Sequence, residues 1–130
     1  MLRRMPLTED IISSQYQITG YRSDAVIINE QKYNGSLILS AEKLVHPWPV
    51  RSVSDLSDDS LQPLFEFNAD VVLLGTGQKQ RFPDAQIMGL FGRQRIGLEV
   101  MDNGALCRTF NILVAEDRAV VAAILLDGQT

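Results

Sequence analysis

Two short segments combine glycine with groups that can bind an anion. Gly75-Thr76-Gly77 follows one apolar run, and Asp102-Asn103-Gly104 follows another. Glycine lets backbone N–H groups approach a ligand closely, and open α/β sheets bind ligands where their strands end. If both apolar runs are parallel strands, these two turns meet at one edge of a sheet. The sequence therefore predicts a crevice at that edge with backbone donors on two walls.

Cys107 and Arg108 come directly after the second turn, where we expect the first turns of a helix. A guanidinium there can hold a carboxylate or a phosphate, and the helix dipole favours a thiolate. A lone cysteine is more often a small buried side chain, and Arg108 can instead pair with a nearby acid such as Asp102, Glu99 or Glu116. We expect Cys107 to be packed. The predicted ligand-binding residues are Gly75, Thr76, Gly77, Asp102, Asn103, Gly104, Cys107 and Arg108.

The Gly-Thr-Gly segment does not match the known phosphate-binding fingerprints. Gln80 stands where a dinucleotide fingerprint needs its third glycine, and no Gly-Lys-Ser/Thr follows as in a P-loop. The alternative is a tight turn that needs a positive φ angle. Both interpretations stay open at this point.

The chain has one cysteine and one histidine, His46. One cysteine gives no internal disulfide and no thiolate zinc cage, and one histidine gives no pair of imidazoles for a catalytic metal. We therefore expect no metal, no cofactor and no catalytic residue of these classes. The shortage of thiols fits a reducing compartment, so we expect a cytoplasmic location.

Length and charge narrow the class further. The 130 residues are 45% hydrophobic and 22% charged, which is typical of a single globular domain. A net charge of -4 argues against binding to nucleic acid, and no apolar run reaches the roughly 20 residues of a membrane span. The first residues lack the apolar core of a secretory signal. We expect a flexible arm over residues 1–14 and a single domain over residues 15–130.

Hydrophobic periodicity predicts strand, helix, strand, helix, strand for the second half of the chain. The first half alternates like an antiparallel meander, with a turn signal at Asn34-Gly35. The prediction is an α/β, three-layer single domain whose mixed central sheet combines a βαβαβ core with an antiparallel N-terminal β meander. The predicted elements of the core are strand 71–74, helix 83–93, strand 98–101, helix 104–118 and strand 119–126.

Two features between these halves leave alternatives open. Ser57 is a candidate N-cap, but Pro63 either kinks the helix that follows or marks its start. Trp48, between two prolines, either serves as a recognition aromatic or covers the edge of the core, and we favour the second interpretation.

A set of motifs in fixed order gives the chain a family resemblance. The most specific part is the strand that ends in Gly-Thr-Gly together with the later Met-Asp, Cys-Arg-Thr, Asn and Glu-x-Arg stretch. With these motifs, over about residues 15–126, the chain resembles a small uncharacterised α/β family. Its animal members include a mitochondrial assembly factor for respiratory complex I and an adipogenesis-associated domain protein. The resemblance implies a three-layer fold with a mixed sheet, no established catalytic activity, and an assembly role in the mitochondrial members.

The chain departs from that family pattern at two positions. Asn103 stands where many relatives have threonine, and Phe110 stands where tyrosine often precedes the asparagine. Both changes remove a hydroxyl group, so chemistry based on those hydroxyls does not carry over.

The leading functional prediction is a non-enzymatic domain that binds a protein partner or a small anionic ligand in the predicted crevice. The alternative is a small enzyme acting on an anionic metabolite, with Arg108 as an electrostatic clamp and Cys107 or Asp102 as the reactive group. Neither the identity of the partner nor the oligomeric state follows from the sequence.

Overall fold

Two β-sheets and three α-helices make up residues 15–126, the part of the chain that this computed structural model describes. The flexible arm expected over residues 1–14 lies outside the described residues. The strands are β1 (Ile18–Arg22), β2 (Ala25–Ile28), β3 (Gln31–Asn34), β4 (Leu37–Leu39), β5 (Leu44–Val45), β6 (Val71–Gly75), β7 (Gly97–Met101) and β8 (Val120–Ile124). The helices are α1 (Asp58–Phe65), α2 (Ala85–Arg93) and α3 (Asn103–Ala115), and a short 3-10 helix covers Val53–Asp55.

The larger sheet has the strand order β5-β4-β8-β6-β7. Strand β6 runs parallel to both of its neighbours, whereas β4 is antiparallel to β8 and to β5. The sheet is therefore mixed, and β6-α2-β7-α3-β8 is the predicted βαβαβ core. The apolar run at residues 71–74 forms an interior strand, as its pattern predicted.

Both faces of this sheet are covered, which explains why β6 and β8 are apolar at consecutive positions. Alternate residues of each strand point to opposite faces. One face packs against α1 and α2 through Leu61, Leu64, Ile87 and Phe91. The other face packs against α3 and the smaller sheet through Leu106, Phe110, Ile18 and Val26. Helix α3 thus contacts both sheets, and its N-terminal half lies beside β1.

The smaller sheet is the expected antiparallel meander, β1-β2-β3, but its tight turn was wrongly predicted. Gln31–Asn34 forms β3, and the β2–β3 turn consists of Asn29 and Glu30, with φ angles of 49° and 74°. Gly35, with a φ angle of 98°, instead links the two sheets. Asn34-Gly35 therefore marks a bend between sheets.

The structure answers the open questions about Ser57, Pro63 and Trp48. Ser57 caps α1, which runs through Pro63 as one helix. Asp84 caps α2, and Asp102 caps α3 by accepting a hydrogen bond from Ala105 N–H. Trp48 is 3% exposed and its indole N–H donates to the carbonyl oxygen of Ser60 over 2.9 Å, so it covers the core as expected.

Candidate functional site

The side chain of Asn103 joins the ends of two strands at the carboxyl edge of the sheet. Its Oδ1 accepts a hydrogen bond from Gly77 N–H at 3.2 Å, and its Nδ2 donates to the carbonyl oxygen of Leu125 at 2.9 Å. Its own N–H donates to the carbonyl oxygen of Gly77 at 2.8 Å. Asn103 is fully buried. The two predicted turns do meet here, as the parallel order required, and this buried amide holds them together.

Thr76 folds the loop after β6 back on itself. Its Oγ1 donates to the carbonyl oxygen of Lys79 at 2.6 Å and accepts from Arg81 N–H at 2.9 Å. Its backbone N–H donates to the carbonyl oxygen of Met101 on β7. Gly77 has a φ angle of 102°, the backbone conformation that the turn interpretation required. The donors of this segment are thus engaged within the protein.

The eight predicted site residues fall into two groups. Gly75, Thr76, Gly77 and Asn103 lie together at the end of the sheet, where Asn103 packs on Gly75 and hydrogen-bonds Gly77. Gly104, Cys107 and Arg108 instead line a groove of about 240 Å³ beside β1. Asp102, as the N-cap of α3, lies between the groups. We call this cavity the β1–α3 groove; it is lined by Ile18, Thr19, Gly20, Tyr21, Gly104, Cys107, Arg108 and Asn111.

Gly104 lines the β1–α3 groove close to three other side chains. A Cβ atom placed on Gly104 would lie 3.3 Å from Asp102 Oδ1, 3.8 Å from Arg108 Nη1 and 3.8 Å from Tyr21 Cε2. The carboxylate, the guanidinium and the aromatic ring therefore surround one small residue. Even one methyl group would lie close to Asp102 Oδ1 here, so the glycine lets these three groups approach one another.

Arg108 is the exposed charge at this groove. Within residues 15–126, its guanidinium makes no hydrogen bond or ion pair with another side chain. The pairings with acidic neighbours considered for it are therefore not made within that range. A cation without an ion-pair partner among the described residues can bind an incoming carboxylate or phosphate.

Cys107 belongs to the core next to the groove and is 8% exposed. Burial raises the pKa of its thiol to about 11, although the nearby positive charge of Arg108 acts in the opposite direction. The thiol is thus protonated at neutral pH and is a poor nucleophile. Burial also raises the pKa of Tyr21, and the charges of Cys107 and Asp102 add to that effect. Both groups are neutral at pH 7.

Asn111 and Tyr21 belong to the groove but were not among the predicted site residues. Asn111 could have been found, because Gly104, Arg108 and Asn111 recur at helical spacing and so share one face of α3. Tyr21 could not, because its approach to α3 is a long-range contact with no local pattern. His46, the one histidine of the chain, hydrogen-bonds the carbonyl oxygen of Asn34 and packs edge-on against Tyr33.

No group of three or more His, Cys, Asp or Glu side chains in residues 15–126 is arranged to hold a metal ion. Over the same range, no helix combines the length and the apolar character that a membrane crossing needs.

The fold and the groove define a small α/β protein with a mixed sheet, an appended antiparallel meander and an arginine-bearing cleft between the meander and α3. The chain belongs to a family described as a protein of unknown function, DUF498/DUF598, whose model matches residues 18–125. This family membership confirms the resemblance recognised from the motifs.

Three relatives illustrate the breadth of the family. A Francisella tularensis protein named a 13 kDa major membrane protein is 28% identical over 122 residues, covering 93% of this chain and 99% of the relative. The human NADH dehydrogenase (ubiquinone) 1 alpha subcomplex assembly factor 3 is 29% identical over 124 residues, covering 94% of this chain and 67% of the relative. The NMR structure of a Xanthomonas campestris protein superimposes with a TM-score of 0.84 at 34% identity, covering 97% of this chain and 96% of the other. The cytoplasmic location expected for this chain stays a prediction.

Proposed function

We propose that this protein is a non-enzymatic binding protein of the assembly type, which receives an acidic group of a protein partner or a small anionic ligand in the β1–α3 groove. The observation that carries the proposal is the exposed guanidinium of Arg108, which has no ion-pair partner among the described residues. Gly104 adds no side chain beside it, and Cys107 and Tyr21 supply the partly apolar wall. A charged group that faces a cleft without a partner of its own suits binding.

An assembly role is supported by the relatives. One relative is named an assembly factor, and this chain spans about two thirds of it. Assembly factors act by binding other proteins, so the same groove would contact a protein surface. About a third of the human relative lies outside the matched region. Its partners and its activity are therefore only proposals for this chain.

The enzymatic alternative has weaker support. Cys107 holds its proton at neutral pH because burial raises its pKa to about 11. Asp102 uses Oδ1 to cap α3, where it accepts a hydrogen bond from Ala105 N–H at 2.9 Å. An acid or nucleophile in the groove would have to act in spite of these constraints. Binding needs neither group to change its protonation state.

Site-specific photo-cross-linking tests the proposal for a protein partner. A benzoylphenylalanine at Thr19, an exposed residue of the groove, is compared with one at Met88, which is 41% exposed on α2. In host cells, the Thr19 probe should form a discrete cross-linked complex that Arg108→Ala abolishes and Arg93→Ala, a matched exposed arginine on α2, preserves. Equal cross-linking from both positions, or a complex indifferent to Arg108, would refute a partner at this groove.

Thermal unfolding tests the small-ligand form of the proposal. Sulfate, phosphate and a panel of carboxylates are added to the purified wild type, Arg108→Ala and Arg93→Ala. A ligand present at a hundred times its Kd stabilises the folded state by about 2.7 kcal/mol, and so raises the Tm. We expect the rise for the wild type and Arg93→Ala and its loss in Arg108→Ala. If no anion shifts the Tm of the wild type, none of the anions in the panel is a ligand of the groove. The cross-linking experiment then decides the protein-partner form of the proposal.

A further inference from the structure

The β1–α3 groove runs along the outer edge of β1. Strand β1 lies at the end of the three-strand sheet, and among the described strands it pairs with β2 alone. Four consecutive β1 residues, Ile18 to Tyr21, line the groove, and α3 forms the opposite wall. The outer side of an edge strand carries backbone donors and acceptors that another extended chain can pair with.

The backbone of Ile18 on this edge is already hydrogen-bonded to the side chain of Asn111, which takes the place of a neighbouring strand. Asn111 Nδ2 donates to the carbonyl oxygen of Ile18 at 2.7 Å, and Asn111 Oδ1 accepts from Ile18 N–H at 3.0 Å. This is the donor and acceptor pattern that an antiparallel strand would offer to the same residue. The outer edge of β1 therefore points toward α3 at this end of the groove.

The next outward-facing peptide group belongs to Tyr21. The register between β1 and β2 shifts between Ile18 and Gly20, which places one extra residue in β1. The two-residue turn after Arg22 pairs Arg22 with Ala25. Because hydrogen-bonded and non-hydrogen-bonded pairs alternate along an antiparallel ladder, the N–H and C=O of Tyr21 point away from β2. In residues 15–126, no side chain or other strand hydrogen-bonds these two groups. The peptide N–H and C=O of Tyr21 thus have no partner among the described residues, whereas those of Ile18 are hydrogen-bonded to Asn111.

Space and charge at this position point to the chemistry of the occupant. Gly104 lies beside the ring of Tyr21 and adds no side chain to the groove. Arg108, one helical turn further along α3, contributes an exposed positive charge without an ion-pair partner among the described residues. An extended chain that pairs with Tyr21 would carry its neighbouring side chains past this guanidinium. An acidic side chain is the one that complements it.

We propose that the β1–α3 groove binds an extended acidic segment of a protein partner, which pairs with the peptide group of Tyr21 and places a carboxylate on Arg108. This inference rests on the proposed function and names the form that the partner takes there. Backbone pairing supplies affinity and the acidic side chain supplies specificity, as in other complexes formed by strand addition. A free anion would engage Arg108 alone and leave the Tyr21 groups unpaired.

The probe for the test is a displayed library of random hexapeptides, selected on the wild-type protein. We expect the selected sequences to share an aspartate or glutamate. In the strongest synthetic peptide, N-methylation of each backbone amide in turn should weaken binding at least tenfold at the amide that pairs with Tyr21. Binding should also shift the backbone NMR signals of residues 18–22, whereas those of α2 stay in place.

A charge exchange provides the matched control. Arg108→Glu should lose at least tenfold in affinity for the acidic peptide and regain binding to the same peptide with lysine at the acidic position. Arg93→Glu, with the same charge change on α2, should bind the original peptide normally. Rescue by the lysine peptide also shows that Arg108→Glu remains folded.

Three results would overturn the inference, and each leaves the proposed function separately testable. Selected peptides that tolerate N-methylation at every amide would show that backbone pairing is absent. Peptides without a common acidic residue, or peptides that shift signals outside the groove, would show that Arg108 does not select them. If Thr19 still cross-links a partner in an Arg108-dependent way, the groove binds a different form of surface, and only the extended-segment inference fails.

Discussion

The side chain of Asn103 lies directly over the α-carbon of Gly75. A Cβ atom on Gly75 would overlap Asn103 Oδ1 and would lie 3.0 Å from Leu106 Cδ1. The glycine is therefore required by a buried amide that packs on it, and the amide in turn fastens the ends of β6 and β8. In this chain, the turn that resembles a ligand-binding turn therefore has a structural role.

The first prediction is that Gly75→Ala destabilises the protein by about 1 to 3 kcal/mol, because the added methyl group overpacks a fixed buried contact. Urea unfolding of the purified variant measures the change. The matched control is Gly89→Ala in the middle of α2, where a Cβ would meet only Arg93 Nη1 at 3.8 Å. That substitution should stabilise the protein by up to about 1 kcal/mol, because alanine is the better helix former. If both variants changed stability in the same direction, close packing on Gly75 would not be the cause.

The second prediction concerns the amide itself. Asn103→Ala leaves Gly77 N–H and the Leu125 carbonyl oxygen without their side-chain partner, and should lower the free energy of unfolding by about 2 to 4 kcal/mol. Asn34→Ala is the control, since its amide bonds the carbonyl oxygen of Asp24 at an exposed position and should change stability by less than about 0.5 kcal/mol. Equal losses in the two variants would contradict the assigned role of Asn103.

These contacts show which parts of the fold could be predicted from the sequence. The apolar run at residues 71–74 indicated an interior parallel strand, and parallel order then required the turns at Gly75 and Asp102 to meet. Only the α3 wall of the groove could be predicted from the sequence. Residues of α3 share a face by local spacing, but their partner strand β1 lies 93 positions away from Asn111 at Ile18, and no local pattern encodes that pairing.

The β2–β3 turn could not be predicted for a different reason. Asn34-Gly35 carries the expected residue types, yet the tight turn uses Asn29 and Glu30, both with positive φ. Asn29 compensates through tertiary contacts: its Oδ1 accepts from Gln17 N–H, and its Nδ2 donates to the carbonyl oxygen of Gln15. Contacts outside the turn thus had more effect than the turn propensity of Asn34-Gly35, and such contacts cannot be predicted from local sequence.

The third prediction follows from that turn. Glu30 has a φ angle of 74°, in the left-handed region that costs a residue with a side chain about 1 kcal/mol or more. Glu30→Gly should therefore stabilise the protein by about 0.5 to 1 kcal/mol, after the greater entropy of glycine in the unfolded chain is subtracted. Thermal and urea unfolding measure it. Glu42→Gly, at an exposed position outside helices and strands where φ is not positive, should bring no gain. A loss of stability in Glu30→Gly would show that the glutamate side chain contributes more than the backbone strain removes.

The last prediction uses the thiol of Cys107. Its pKa rises on folding from the ordinary value of 9.0 to about 11, mainly because the side chain is buried. Between these values the unfolded chain has released the proton while the folded chain still holds it, so raising the pH favours unfolding. The stability contributed by the buried thiol is complete below pH 9 and is lost as the pH rises toward 11. A difference of two pH units corresponds to at most about 2.7 kcal/mol, which solvent screening reduces to about 1 to 2 kcal/mol.

Urea unfolding at several pH values between 8 and 11 measures this loss, and Cys107→Ala is the comparison that isolates it. Tyr21, whose pKa is raised mainly by burial, remains in both proteins, and Cys107→Ala removes from it only the smaller effect of the Cys107 charge. The free energy of unfolding of the wild type should therefore fall more steeply with pH than that of Cys107→Ala. Alkylation by iodoacetamide should agree, because a protonated, buried thiol reacts slowly at pH 7.5 and faster as the pH approaches 11. Parallel pH profiles together with rapid alkylation at pH 7.5 would show instead that Cys107 is an accessible thiolate, and the enzymatic alternative for the groove would regain its nucleophile.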